Sequence, residues 1–145
     1  MKKCNEVMTK DPFCCLPTDS VQKVAEMMKS QNIGAMPVID AGHTKKLVGI
    51  VTDRDLALKI IGGELDPQST KVDAVMSHNL ITCHASDDLQ KALNAMAEHQ
   101  LRRIPVVDDD DKIVGIIAQA DVATRANQPD KTAEMVKEIS QANGS

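Results

Sequence analysis

Met36-Pro37-Val38-Ile39-Asp40 recurs 68 positions further along as Ile104-Pro105-Val106-Val107-Asp108, and the reading of this repeat decides the fold. Upstream, Val7-Met8-Thr9 aligns with Val75-Met76-Ser77 at the same spacing. Asp19-Ser20-Val21-Gln22-Lys23 likewise aligns with Asp87-Asp88-Leu89-Gln90-Lys91. Downstream, Leu47-Val48-Gly49-Ile50-Val51 matches Ile113-Val114-Gly115-Ile116-Ile117 at a spacing of 66, so the first copy holds two extra residues within 41–46. Insertions sit in turns because no core contact is disturbed there. A duplicated unit too small to close its own core must pack against its copy.

Within each copy the apolar pattern gives the elements. Phe13-Cys14-Cys15-Leu16 and Leu80-Ile81-Thr82-Cys83 are short apolar runs that predict strands. Asp19 with Gln22, and Asp87 with Gln90, have capping-box spacing. Val21, Val24, Ala25 and Met28 then recur at helical intervals, as do Leu89, Ala92, Leu93 and Met96. Residues 36–39 and 47–51 are β-branched runs around a polar turn with Gly42, a hairpin with Pro37 at the start of its first strand. A second helix opens at Thr52, with Asp55 at its third position, and stops at Gly62-Gly63, where a left-handed residue costs little. The unit is β-α-β-β-α, an α/β (α+β) chain. The expected division is 1–63 for the first repeat, 64–70 for a linker, 71–127 for the second repeat and 128–145 for a C-terminal helix and tail. That helix puts Ala133, Val136 and Ile139 on one stripe.

Composition narrows the function classes. With 145 residues, 42% hydrophobic and 26% charged, the chain has the balance of a soluble folded protein. Phe13 is the sole aromatic residue, which leaves no stacking platform for bases, and the net charge of −4 repels a phosphate backbone. Nucleic acid is therefore not an expected partner. No apolar run approaches the roughly 18 residues of a membrane helix, and Met1-Lys2-Lys3-Cys4-Asn5 leads into no signal segment. The expectation is a cytoplasmic protein without membrane contact. Cys4, Cys14, Cys15 and Cys83 lack CxxC spacing and read as structural thiols. No metal site is expected. His78, Cys83 and His84 have no regular ligand spacing, and Asp108-Asp109-Asp110-Asp111 reads as a hairpin turn rather than a cation loop. Neither a nucleophile triad nor a Walker or GxGxxG loop occurs, so no enzyme is expected.

Gly49-Ile50-Val51-Thr52-Asp53-Arg54-Asp55-Leu56, downstream of Gly34-Ala35-Met36-Pro37-Val38-Ile39-Asp40, resembles the signature of the cystathionine β-synthase (CBS) repeat. Arg102-Arg103-Ile104-Pro105-Val106-Val107-Asp108 and Gly115-Ile116-Ile117-Ala118-Gln119-Ala120-Asp121 repeat it. The layout is similar to the stand-alone bacterial CBS-pair proteins. That resemblance implies two repeats related by pseudo-twofold symmetry (a Bateman module), a homodimer, and an adenine nucleotide as ligand: AMP, ADP, ATP or NAD. The downstream protein partner is not identified by the sequence.

The resemblance also implies the site. One cleft joins Thr52 and Asp55 to Leu80, Ile81, Arg102 and Arg103, with the carboxylate on the ribose and the guanidiniums on phosphate. A carboxylate can accept from both hydroxyls of a cis-diol, and guanidinium forks fit phosphate oxygens. A weaker second cleft joins Asp121 to Pro12 and Phe13. There Ala118 replaces the threonine, and Gly34 and Ala35 stand where the arginines would be. The rival expectation is a ligand-independent dimeric interaction module.

Overall fold

The computed structural model describes residues 2–125; the expected helix within 132–141 lies outside them. In chain order the elements open with α1 (Cys4–Val7), β1 (Thr9–Lys10), α2 (Val21–Gln31), β2 (Ala35–Ile39) and β3 (Leu47–Thr52). They continue with α3 (Asp53–Asp55), β4 (Cys83–His84), α4 (Leu89–Glu98), β5 (Arg103–Val107), β6 (Ile113–Ala118) and α5 (Gln119–Arg125). A π-helical turn, Leu56–Ile61, prolongs α3, and a 3-10 turn spans Val72–Ala74.

The chain forms two compact units whose boundaries are not those of the sequence repeats. One, here the first unit, is Phe13–Leu80; the second combines Met1–Pro12 with Ile81–Ser145. Each therefore consists of a repeat body and a leading arm that precedes the other body in sequence. The arms dock identically. In the first unit Val21 N donates to Thr70 O, Val72 N to Asp19 O and Asp73 N to Pro17 O. In the second unit, at equivalent positions, Leu89 N donates to Lys2 O, Cys4 N to Asp87 O and Asn5 N to Ala85 O. Each arm then presses a methionine onto a glycine of the hairpin. A Cβ on Gly49 would lie 2.6 Å from Met76 Sδ, and one on Gly115 would lie 2.7 Å from Met8 Cγ. Glycine is required there for close approach.

In the first unit β2 and β3 pair antiparallel, with Pro37 opposite Ile50. The second unit has a four-stranded sheet in the order β1-β6-β5-β4. The strands expected at 13–16 and 80–83 are shorter than the sequence suggests. Cys15 makes a single parallel bridge to Val38, and β4 keeps only Cys83 and His84 beside Val106 and Val107. The proline explains it. Cys15 N donates to Pro37 O and Ile39 N to Cys15 O, so the next rung needs an N–H on residue 37, which proline lacks. Pro37 is thus the third residue of β2 rather than its first.

Two further local expectations are corrected. Asp19 is not the helix cap: Ser20 Oγ accepts from Lys23 N at 3.2 Å, while Asp19 Oδ2 accepts from Leu16 N at 2.8 Å and closes the preceding turn. Asp87 similarly accepts from His84 N at 2.9 Å. Gly62 is right-handed, with φ −66, and the left-handed residue is Glu64. A Cβ at Gly62 would lie 2.6 Å from Leu58 O, so the widened π turn, not a positive φ, demands glycine.

Each unit has its own core. Val21, Val24 and Met28 of α2 pack on Met36, Val38 and Val51, sealed by Cys15, Val72, Val75 and Met76. Ala25, expected on that stripe, faces solvent. In the second unit Leu89, Ala92, Leu93 and Met96 cover Ile104, Val106 and Ile117, and the arm contributes Cys4, Val7 and Met8. Each fully buried Val or Met of this kind contributes roughly 1.5–3 kcal/mol of transfer free energy.

Candidate functional site

β3 delivers Thr52 in extended conformation, and the chain then turns sharply into α3. The turn is closed reciprocally, as the spacing of Thr52 and Asp55 predicts. Thr52 Oγ1 accepts from Asp55 N at 3.1 Å, and Asp55 Oδ2 accepts from Thr52 N at 2.9 Å. The Thr52 hydroxyl also lies 3.1 Å from Asp55 Oδ2. The other carboxylate oxygen, Oδ1, is 3.3 Å from Lys59 Nζ, and that ammonium donates to Val75 O at 2.8 Å. Asp55 is consequently held from both sides, yet its side chain remains 19% exposed. A fixed carboxylate with an open edge can accept further hydrogen bonds from neutral hydroxyls.

Lys59 is the residue that sequence reasoning missed. Its signal was present: opposite charges at i and i+4 on a helix are neighbours. Phe13 and Leu80 belong to the same unit, Phe13 half exposed at 48% and Leu80 half-buried.

The second unit carries Ile81, Arg102, Arg103, Asp121 and Pro12. Ile81 is half-buried against the core. Arg103 opens β5, whereas Arg102 stands one residue before it with its carbonyl accepting from Gln119 N at 3.1 Å. Consecutive residues of an extended chain point to opposite faces. Ile104, two residues from Arg102, faces α4, and Arg102 lines an open hollow of about 320 Å³ with Leu93, Met96, Ala97, Gln100, Leu101 and Gln119. Arg103 leads the opposite face. Arg102 and Arg103 thus leave the start of β5 on different sides of the backbone. Among the described residues neither has an ion-pair or side-chain hydrogen-bond partner.

Asp121 takes the place of Asp55 in the second copy, but with Ala118 in place of the threonine its Oδ2 accepts from Thr9 Oγ1 of β1 at 3.2 Å. The second carboxylate is thus tied to the arm. Pro12, half-buried, ends that arm. Asp108 closes its own turn, with Oδ1 accepting from Asp110 N at 2.9 Å and Lys112 N at 3.0 Å. Among the described residues no group of three or more His, Cys, Asp or Glu is placed to hold a metal. No helix among them is long and apolar enough to cross a membrane.

The CBS domain model matches residues 4–62 and again 72–127. The chain belongs to the CBS domain family. The CBS domain-containing protein YhcV of Bacillus subtilis is 35% identical, with 99% of each chain covered. Hypoxic response protein 1 of Mycobacterium tuberculosis is 31% identical over 85% of this chain and 84% of its own. Its crystal structure, with two coordinated zinc ions, superposes with a TM-score of 0.76 at 30% identity over 85% of this chain and 98% of that one. Two other solved CBS proteins hold adenosine compounds. One is CBSX2 in complex with AMP, with a TM-score of 0.76 at 28% identity over 87% of this chain and 97% of that one. The other is the CBS domain pair of MJ0100 with 5′-methylthioadenosine and S-adenosyl-L-methionine, with a TM-score of 0.76 at 26% identity over 86% and 94%.

Proposed function

We propose that this CBS pair is a regulatory module without chemistry of its own that binds an adenine nucleotide or related adenosine compound, AMP, ADP, ATP and NAD being the first ligands to test. The observation that carries the reading is the Thr52–Asp55 turn, which presents a rigid, partly exposed carboxylate at the end of a strand. Such a group suits a ribose diol, the portion shared by the compounds that CBSX2 and MJ0100 hold. Leu80 and Ile81 offer apolar surface for the base, and Arg102 or Arg103 a cation for phosphate. Because the arginines diverge, one of them serves the phosphate. Asp121, engaged by Thr9, with Pro12 and Phe13 nearby in sequence, makes the weaker second set.

Isothermal titration calorimetry of the whole chain with AMP, ADP, ATP, NAD and S-adenosylmethionine tests this reading. Saturable binding of at least one is expected. Folded protein that gives no heat at millimolar concentrations of all five overturns it.

A second reading, a ligand-independent dimeric interaction module, draws on one observation. Leu58, Ile61 and Leu65 are 59%, 79% and 46% exposed at helical spacing on the first unit. Light scattering with and without nucleotide separates the two, since a pure scaffold is indifferent to ligand. Ile61→Glu should then abolish any dimer.

A further inference from the structure

We propose that Cys4 and Cys83 are a disulfide-forming pair, a reversible oxidation site that fastens the N-terminal arm to the body of the second unit. The two repeats provide an internal comparison. Cys15 and Cys83 occupy equivalent positions, each buried and each with its thiol 3.8 Å from the carbonyl of the proline in the neighbouring strand, Pro37 or Pro105. What faces them differs. In the first unit the arm presents Val72; in the second it presents Cys4, 0% exposed and in the same core cluster as Cys83. The arm is fixed in register on both sides of Cys4. Its N–H donates to Asp87 O at 2.9 Å, Asn5 N donates to Ala85 O at 3.0 Å, and Lys3 bridges Asp88. The segment 84–88 that receives the arm follows directly on Cys83, and both thiols lie in one buried cluster, Cys4 Sγ donating to Asp88 O and Cys83 Sγ to Pro105 O, each at 3.8 Å.

The two sulfurs are not equivalent. The neighbouring Cys83 holds Cys4 below the ordinary thiol value, while Cys4 and burial push Cys83 up. Cys4 is therefore the sulfur that ionises and attacks. With a small organic disulfide as oxidant, the Cys4 thiolate displaces one thiolate and forms a mixed disulfide. Cys83, losing its proton, then attacks the Cys4 sulfur and expels the second small thiol. Two protein thiols are oxidised to one protein disulfide, and one organic disulfide is reduced to two thiols. Access to the pair requires only local opening of the arm, whose helix α1 is a single turn of four residues. Cys14 and Cys15 are successive residues of an extended stretch and do not compete, because their side chains diverge.

The test is incubation of the folded whole chain with oxidised glutathione, followed by thiol titration and non-reducing peptide mapping. Loss of two of the four thiols is expected, with a Cys4–Cys83 linked peptide that dithiothreitol removes. The oxidised form should melt higher by on the order of 5 °C, because a cross-link closing so long a loop restricts the unfolded chain. Cys4→Ala, checked for folding by circular dichroism, should form no such link. Retention of both thiols in the wild-type chain, or glutathione adducts and intermolecular links alone, overturns the proposal.

Discussion

At the scale of single residues, the Thr52–Asp55 turn has two duties, and substitutions separate them. Asp55→Asn keeps the shape and can still accept from Thr52 N but loses the charge; it should weaken nucleotide binding by about 10-fold or more, the equivalent of one charged hydrogen bond. Thr52→Val removes the cap and should cost about 1 kcal/mol of stability, read from the urea midpoint. The diverging arginines give a sharper expectation. Of Arg102→Ala and Arg103→Ala, calorimetry should find one that weakens AMP binding by roughly 10-fold or more and one nearly neutral. Equal losses would show a joint fork after all. Cys15 supplies a pH dependence. Burial pushes its thiol from 9.0 up to about 12, so the unfolded chain releases that proton first. Stability should fall as pH rises from about 9 towards 12, and Cys15→Ala should flatten that fall in chemical-denaturation series.

At the scale of elements, the arm and the hairpin meet in each unit through a methionine pressed on a glycine. Gly115→Ala drives a methyl group into Met8 and should cost roughly 1–3 kcal/mol; pairing it with Met8→Ala should recover part of the loss in a double-mutant cycle. The equivalence of the arms also predicts that Val72→Cys creates opposite Cys15 the same thiol pair that Cys4 makes with Cys83, with a second cross-link under oxidation. Helices and hairpins were legible in the sequence because their signals are local: apolar positions at 3.6-residue spacing, β-branched runs, Thr52 three residues before Asp55. The shortened strands were half legible. Pro37 and Pro105 were visible, but the missing rung follows only once the register puts their nitrogens towards residues 13 and 81. The Thr9–Asp121 bond, 112 positions apart, had no local signal. Arg102 and Arg103 were readable as a charged pair, whereas their divergence depends on where β5 begins.

At the scale of the whole chain, the exchange of arms between repeats dominates. The repeats align as Val7-Met8-Thr9 with Val75-Met76-Ser77, which the sequence shows plainly; that each such segment serves the other body is a three-dimensional fact. A fragment of residues 13–80 keeps its own arm, whereas a fragment of residues 1–63 lacks one. The first should unfold cooperatively by circular dichroism and the second should not, despite their similar lengths. Equal behaviour would mean that the arms contribute little to either core. The same exchange sets an order of events during synthesis. Residues 13–63 emerge from the ribosome before the piece that seals them, so the first body waits until about residue 80 has left the exit tunnel. The arm that precedes residue 13 waits longer still, for a body translated only after the first one, and in that interval Cys4, Val7 and Met8 are open to chaperones.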